Sequence, residues 1–341
     1  MSCISSLLRK VIRSRMGRES ILHFLPPEGA VLMFHHVSEA DPDGIESNQH
    51  LKVSASFLEE LCVWYRKKGF SFLSMDEVTD LLQKKKPLHK VLALTFDDGY
   101  RDNLTVGKPV LSSLGIPFII YVATGFLTGE TVCFWDLLEQ CILRRESLIL
   151  PGSGENLFCR SRQEKEHAFL FLRDHFLAMD PLGIKQNFTH FLEENNFPPE
   201  GEKPVMISPE ELTRYKEDKF LRWGCHSHTH LSFAHQPLEL LEKDLLCSVK
   251  ILKDSGVETP HFAFPYGDGL KERDAVSALL KRFHFRSAVT SEPDLLDEDS
   301  GNHLLFLPRL FVSQIRGTAS LQADMATLSL RKRILLPHGR G

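Results

Sequence analysis

The stretch Val91-Leu-Ala-Leu-Thr-Phe-Asp-Asp-Gly-Tyr100 decides the fold. Val91 to Thr95 are apolar or β-branched without alternation, the pattern of a strand buried on both faces inside an α/β core. The run stops at two adjacent carboxylates, Asp97 and Asp98, followed by Gly99, which tolerates a sharp backbone turn. Catalytic groups of barrel folds sit at such C-terminal strand ends. Asp and Gly are also ordinary turn formers, so this stretch alone reads equally well as a strand-terminating turn.

Outward from it, the chain alternates strand and helix. Ala30-Val-Leu-Met-Phe-His-His-Val37 reads as a buried strand ending in His35 and His36. Phe57 to Gly69 has helical spacing and leads to a short strand at Phe70 to Leu73, and Ser74-Met-Asp-Glu77 is a capping box opening a helix to Leu82. Asp102 to Leu114 predicts a helix and Ile116 to Thr124 a strand. After about Phe126 the rhythm changes. Helical spacing at Phe134 to Leu143, Gln163 to Leu177 and Ile184 to Glu194, with loops at Pro151-Gly-Ser-Gly154 and Pro198-Pro199, predicts a helical insertion over about 127–207. Trp135 and Asp136 at its start are candidates to stack on and hold a sugar, against the plainer reading of Trp135 as packing.

A second capping box, Ser208-Pro-Glu-Glu211, returns the chain to regular structure. Leu221 to Cys225 is a strand delivering His226-Ser-His-Thr-His230. Leu238 to Lys253 is a helix, His261 to Gly267 a strand and turn, Ala275 to Phe283 a helix, and Arg286 to Thr290 and Leu304 to Val312 strands. This β/α alternation implies one parallel, closed α/β barrel over 21–341.

Composition excludes several classes. With 42% hydrophobic and 25% charged residues the composition suggests neither disorder nor membrane spanning, and the net charge of -4 argues against a nucleic-acid partner. The seven scattered cysteines contain no CxxC pair, which fits a reducing compartment. Residues 1–20 form a basic leader with Arg9, Lys10, Arg13, Arg15 and Arg18 around Leu7, Leu8, Val11 and Ile12, without the apolar run of an export signal. A solvated helix, an amphipathic helix on an anionic membrane and an organelle transit peptide all fit it.

Three strand ends thus carry unusual groups: Asp97/Asp98, His226/His228/His230 and His35/His36. Two imidazoles and one carboxylate make a common catalytic zinc set that leaves a position open for water, and His226 and His230 have the spacing of one helical turn. Cys225 and His228 are rivals. Cys225, the last strand residue, should point away from the face used by His226, so a buried structural role suits it better.

Thr95-Phe-Asp-Asp-Gly99 and His226-Ser-His-Thr-His230 resemble the first two motifs of the polysaccharide deacetylases (NodB-homology, carbohydrate esterase family 4), and Phe264-Pro-Tyr-Gly267 resembles the third. The resemblance brackets about Val31 to Val312 without the insertion. It implies a distorted (β/α)7-8 barrel in which Asp98, His226 and His230 hold a divalent metal, Asp97 is general base and the Tyr266 backbone N–H helps bind the oxyanion and substrate. Two departures stand out. Ala263 replaces an Arg of the third motif, a space that Arg309 would fill as in the branch resembling poly-N-acetylglucosamine deacetylases. The family's last motif, which carries the general-acid His, is absent near the final strand. Met33-Phe-His35 matches it at the other end of the chain, as a circular permutation in the same branch would place it; Leu336-Pro-His338 also matches, and His35 is preferred.

The implied activity is hydrolysis of an N-acetyl or N-formyl amide on a sugar. The ion is expected to be zinc, though cobalt and nickel accept the same ligands. The expected partner is an N-acylated amino sugar, on a cell-surface polysaccharide or its nucleotide- or lipid-linked precursor, met in the cytoplasm, with peripheral membrane contact through residues 1–20. The alternatives are a hydrolase of a non-sugar amide and a catalytically idle carbohydrate-binding protein.

Overall fold

The structure, a computed structural model, describes residues 11–12, 14–179, 181–197, 205–234, 236–267 and 272–335. Most of the basic leader, Pro198-Pro199 and His338 lie outside the described residues.

In chain order the strands are β1 (Gly29–Phe34), β2 (His36–Val37), β3 (Lys52–Val53), β4 (Ser71–Phe72), β5 (Val91–Phe96), β6 (Phe118–Val122), β7 (Ser147–Ile149), β8 (Asn156–Phe158), β9 (Leu221–Cys225), β10 (His261–Ala263), β11 (Ser287–Val289) and β12 (Leu310–Phe311). Eight of them form one sheet in the order β11-β10-β9-β6-β5-β1-β12, with β4 beside the start of β5. Every pairing in this sheet is parallel. Leu307 joins its two edges. Its N–H donates to Ala288 O (2.9 Å), its carbonyl accepts from Thr290 N (2.9 Å), and three residues later the same segment pairs with β1. The curled sheet, with its helices outside, is the distorted α/β barrel that the resemblance implied.

Alternation along the strands sorts two cores. Val31, Ala93, Ile119, Tyr121, Ala263, Val289 and Leu307 pack together inside the curl. Their neighbours Leu32, Leu94, Ile120, Trp223, Phe262 and Leu310 face the surrounding helices. Successive side chains on a strand point to opposite faces, so both sets must be apolar for the strand to be buried on both.

Four local departures from the sequence reading have physical causes. The strand expected over Ala30–Val37 breaks at His35, because His36 leaves the main sheet: its N–H donates to Leu51 O, and β2 pairs with β3 instead. The strand expected over Leu304–Val312 is a 3-10 turn at Leu304–Phe306 followed by the two-residue β12, separated by Pro308, which has no N–H to give to a ladder. The helix expected over Asp102–Leu114 starts as a wide π turn at Asn103–Gly107, with the Lys108 N–H reaching Asn103 O just before Pro109, a non-donor. A final helix, Gly317–Leu335, was not read from the sequence; it buries Leu321, Met325 and Ala326 in the outer core.

The insertion has its own core. Helices Phe134–Leu143, Arg162–Leu177 and Pro181–Glu194 enclose Phe134, Phe169, Phe176, Phe188 and Phe191. The expected loop at Pro151–Gly154 is the turn of an antiparallel hairpin, β7-β8, with Gly152 and Gly154 at positive φ.

Candidate active site

The inside-outside alternation delivers the site. His35 continues the parity of Val31 and Met33, Asp97 that of Ala93 and Thr95, and His226 that of Gly224, so all three emerge from inward-facing positions at the C-terminal rim. Gly224 itself must be Gly, since a Cβ there would lie 2.2 Å from the Tyr121 ring. Past the strand ends the backbone is bent hard. Asp98, Ser227, His230 and Tyr266 all have positive φ, between 55° and 71°. For residues other than Gly such conformations cost about 1–3 kcal/mol each, and they cluster where surrounding structure imposes a functional geometry.

Those bends bring three donors together. Asp98 Oδ1 lies 3.3 Å from His226 Nε2 and 3.2 Å from His230 Nε2, all three residues being buried. Two ligands bound at ~2.1 Å with a tetrahedral angle would be ~3.4 Å apart, so the spacing fits a cation of zinc size. The tautomer of His226 fits as well, because its Nδ1–H donates to Ala263 O at 2.8 Å and leaves the Nε2 lone pair facing Asp98. On His230 the corresponding Nδ1 is buried with no hydrogen-bond partner among the described residues. Burial alone would raise the Asp98 carboxyl, but the two imidazoles hold it well below the usual carboxylate range. His226 is raised: burial works against its charge, and Asp97 and Asp98 outweigh it.

Beside this trio Asp97 is clamped by Arg309. Arg309 Nη1 and Nη2 donate to the two Asp97 oxygens, each at 2.7 Å, while Arg309 Nε donates to Thr290 O (2.8 Å) and Nη1 also to Thr95 Oγ1 (3.2 Å). Both side chains are buried. Burial would raise the Asp97 carboxyl; the guanidinium more than cancels this and keeps it ionised at neutral pH. Arg309 thus reaches the first motif from the far edge of the sheet.

His35 lines the same cavity, its Nδ1 buried with no hydrogen-bond partner among the described residues and its backbone carbonyl held by Asn103 Nδ2 at 2.7 Å. Burial pushes its imidazole down, against the pull of Asp98 and Asp97, so it rests neutral. Tyr266 is half-exposed at the mouth, its ring 4.7 Å from that of His230 and its carbonyl accepting from Ser291 Oγ at 3.0 Å. The cavity measures about 380 Å³. Trp135 forms one wall, its indole N–H donating to Tyr100 Oη at 2.6 Å.

Asp136 is elsewhere, against the expectation that it holds a sugar. Next to Trp135 on a helix, it points about a third of a turn away, into a buried network in which His36 Nδ1 donates to Asp102 Oδ2 (2.6 Å) and His36 Nε2 to Asp136 Oδ2 (3.2 Å). Burial works against a charge on His36, but Asp136 and Asp102 raise it to about 10. Sequence reading gave His36 no role beyond its place at a strand end; parity with outward-facing Phe34 was the available signal. The two rivals for the metal set also point away. Cys225 lies 3.2 Å from Ser248 Oγ, its thiol pushed up to about 12 by burial. His228 pairs with the Thr124 hydroxyl (2.9 Å) and Glu130. Ser47, Asn48, His50 and Arg173 complete the cavity without any motif to announce them, because two come from a short helix after β2 and one from the insertion.

No family model matches the chain. YxkH of Bacillus subtilis strain 168, named as a polysaccharide deacetylase, is 32% identical over 108 residues, which are 31% of this chain and 34% of that protein. The poly-beta-1,6-N-acetyl-D-glucosamine N-deacetylase of Escherichia coli K12 is 30% identical over 122 residues, 35% of this chain and 17% of that protein. The matches therefore span about a third and about a sixth of the lengths of these curated relatives. The solved structure of the deacetylase PplD from Streptococcus pyogenes, in complex with acetate, superposes with a TM-score of 0.57 at 17% identity and covers 87% of this chain and 97% of that one. The fold is shared with that deacetylase, and the two relatives in sequence carry the names of a polysaccharide deacetylase and a poly-N-acetylglucosamine deacetylase, as the motifs implied.

Proposed function

We propose that the protein is a divalent-metal-dependent hydrolase that removes an N-acyl group from an amino sugar. The observation that carries the reading is the convergence of Asp98, His226 and His230 beside an ionised, Arg-clamped Asp97 in a cavity shared with His35. Asp98, His226 and His230 hold the ion, which when bound supplies Lewis acidity toward the amide carbonyl and an acidified water near neutral pH.

The chain's own residues supply the rest. Asp97 accepts a proton from the attacking water, and Arg309, bound to both of its oxygens, fixes the direction in which it does so. The Tyr266 backbone N–H is the donor to the developing oxyanion. Water oxygen bonds to the acyl carbon, the carbon–nitrogen bond breaks, and the nitrogen leaves with a proton delivered by His35, which rests neutral and takes that proton from solvent beforehand; the proton held by Asp97 returns to solvent as the acid departs. Trp135 offers an aromatic wall for the sugar ring. The names of the sequence relatives support a sugar substrate, and the acetate in the related structure is the acid that N-deacetylation would release.

Metal analysis of the purified protein, combined with assays of acetate and formate release from N-acetyl and N-formyl hexosamines, tests the proposal. Stoichiometric zinc, cobalt or nickel with amine release is the expected result. Absence of bound metal after loading would refute it. Placement in the cytoplasm and membrane contact through residues 1–20 belong to the same proposal. Cell fractionation checks the first, and flotation of the full chain and a 2–20 deletion on anionic vesicles checks the second. Among the described residues no helix is long and apolar enough to cross a membrane.

A further inference from the structure

We propose that Asn48 is a specificity-determining residue, and that its side-chain carbonyl, oriented by Asp136 and Glu139 of the insertion, accepts a hydrogen bond from a hydroxyl of the sugar whose amide is cleaved. The inference rests on the reading of the site as an amino-sugar amidohydrolase and gives the insertion a part in substrate choice.

Asn48 lies on the short helix Glu46–Gln49 between β2 and β3, and it lines the catalytic cavity although only 1% of its surface is exposed. A helix of four residues has no stability of its own, and Ile45 ahead of it supplies no side-chain cap. The insertion supplies the acceptors instead. Glu139 Oε1 accepts from the Ile45 N–H (2.7 Å) and Gln49 Nε2 (2.6 Å), and Glu166 Oε1 accepts from the Ser47 N–H (3.1 Å) and the Ser47 hydroxyl. The orientation of the Asn48 amide follows from the same acids. Its Nδ2 donates to Glu139 Oε2 (2.7 Å) and to Asp136 Oδ1 (3.1 Å), so both of its N–H groups are engaged. An ionised carboxylate has no proton to offer, so the carbonyl end of the amide cannot take either place. Burial would raise the Asp136 carboxyl, but His36 outweighs it and keeps that group ionised. Lys52 Nζ lies 3.7 Å from Glu139 Oε2. Asn48 Oδ1 itself has no hydrogen-bond partner among the described residues. It is an oriented acceptor in the cavity that Trp135 also lines. The substrate nitrogen has to face His35, which protonates it, so the sugar hydroxyls are the donors left for Asn48.

The test compares the methyl glycoside of N-acetylglucosamine with its monodeoxy analogues, each lacking one hydroxyl, on the metal-loaded protein by release of free amine. In the wild type one analogue should lose about ten-fold in kcat/KM, the effect of leaving a neutral acceptor unpaired in a buried site. Asn48→Ala should lose about as much on the parent sugar and treat parent and analogue alike within about two-fold, as expected for two groups in direct contact. The loss should fall on KM, because a hydroxyl away from the amide is held equally in the ground and transition states, whereas a folding defect would lower kcat. Glu139→Gln, which sets an N–H donor against Asn48 Nδ2, should lower the same preference with metal content retained, and it decides the matter if Asn48→Ala does not fold. Wild-type protein that turns over every monodeoxy analogue as well as the parent, or a preference that survives in the folded variants, overturns the inference. Calorimetric titration with the same sugars gives a readout independent of turnover. Hydroxyl-dependent binding that is lost in Asn48→Ala, with no amide hydrolysed, would keep the Asn48 contact and sink the amidohydrolase reading instead.

Discussion

Replacing Arg309 by Met tests the centre of the site. The guanidinium is buried and donates to the Thr290 carbonyl, the Thr95 hydroxyl and both Asp97 oxygens. Methionine fills similar space with none of these donors and leaves the Asp97 carboxylate buried beside the apolar core. Removing one partner of a buried, well-aligned ion pair costs about 3–5 kcal/mol, because the survivor keeps its desolvation penalty without its counter-charge. That is a large share of the stability of an ordinary domain. The assay is urea unfolding followed by circular dichroism, in chelator so that metal binding does not enter. If the cost is the stranded charge, Asp97→Asn should relieve it. The double variant Asp97→Asn/Arg309→Met is then expected to be more stable than Arg309→Met, with a coupling energy of about 2 kcal/mol or more. A loss under about 1 kcal/mol for Arg309→Met, or strict additivity of the two substitutions, would refute the claim that the pair is a single electrostatic unit.

Further outcomes follow from the same geometry. Asp98→Ala should lose bound metal, whereas Asp97→Asn should keep it and lose turnover; elemental analysis beside an amine-release assay distinguishes them, and equal metal with normal turnover in both would refute the division of roles. His35→Ala is expected to retain metal and lower kcat by about 10²–10⁴-fold, the usual contribution of a positioned acid; an unchanged kcat would exclude His35 as the proton donor. His36 has a folded-state pKa of about 10 against an ordinary value near 6.5. A raised pKa gives stability that is fully present below about 6.5 and lost as pH rises through about 10. Its upper bound is about 5 kcal/mol, from ~1.4 kcal/mol per unit. The melting temperatures of wild type and His36→Gln should therefore differ most near pH 6 and converge toward pH 10; a gap independent of pH would show that His36 stays neutral.

How much of this was legible in the sequence depended on how far the interacting residues lie apart. Val91–Phe96, the capping boxes at Ser74 and Ser208 and the β/α alternation are local facts, set by propensity and periodicity within a few residues, and these determined the fold class. The motifs at Asp97/Asp98, His226/His230 and Phe264–Gly267 were legible for the same reason, since chemically unusual groups at the ends of apolar runs show in the sequence by themselves. Strand parity alone separated Cys225 from His226, and His35 was picked out by the motif Met33-Phe-His35, although the same parity also distinguishes it from His36.

What only the tertiary structure decided involves partners remote in the chain. Arg309 meets Asp97 across 212 positions, because the Leu307 segment joins the two edges of the sheet. Asp136 turned from the cavity to His36, one hundred positions earlier, because its helix spends that face on a buried ion pair and offers Trp135 to the site instead. The final helix and the hairpin at Ser147–Phe158 likewise depend on surfaces that other segments supply. Local sequence fixes which face of an element is apolar and where its ends lie. Which distant side chain meets that end is settled by sheet curvature and closure, to which no short window of sequence has access.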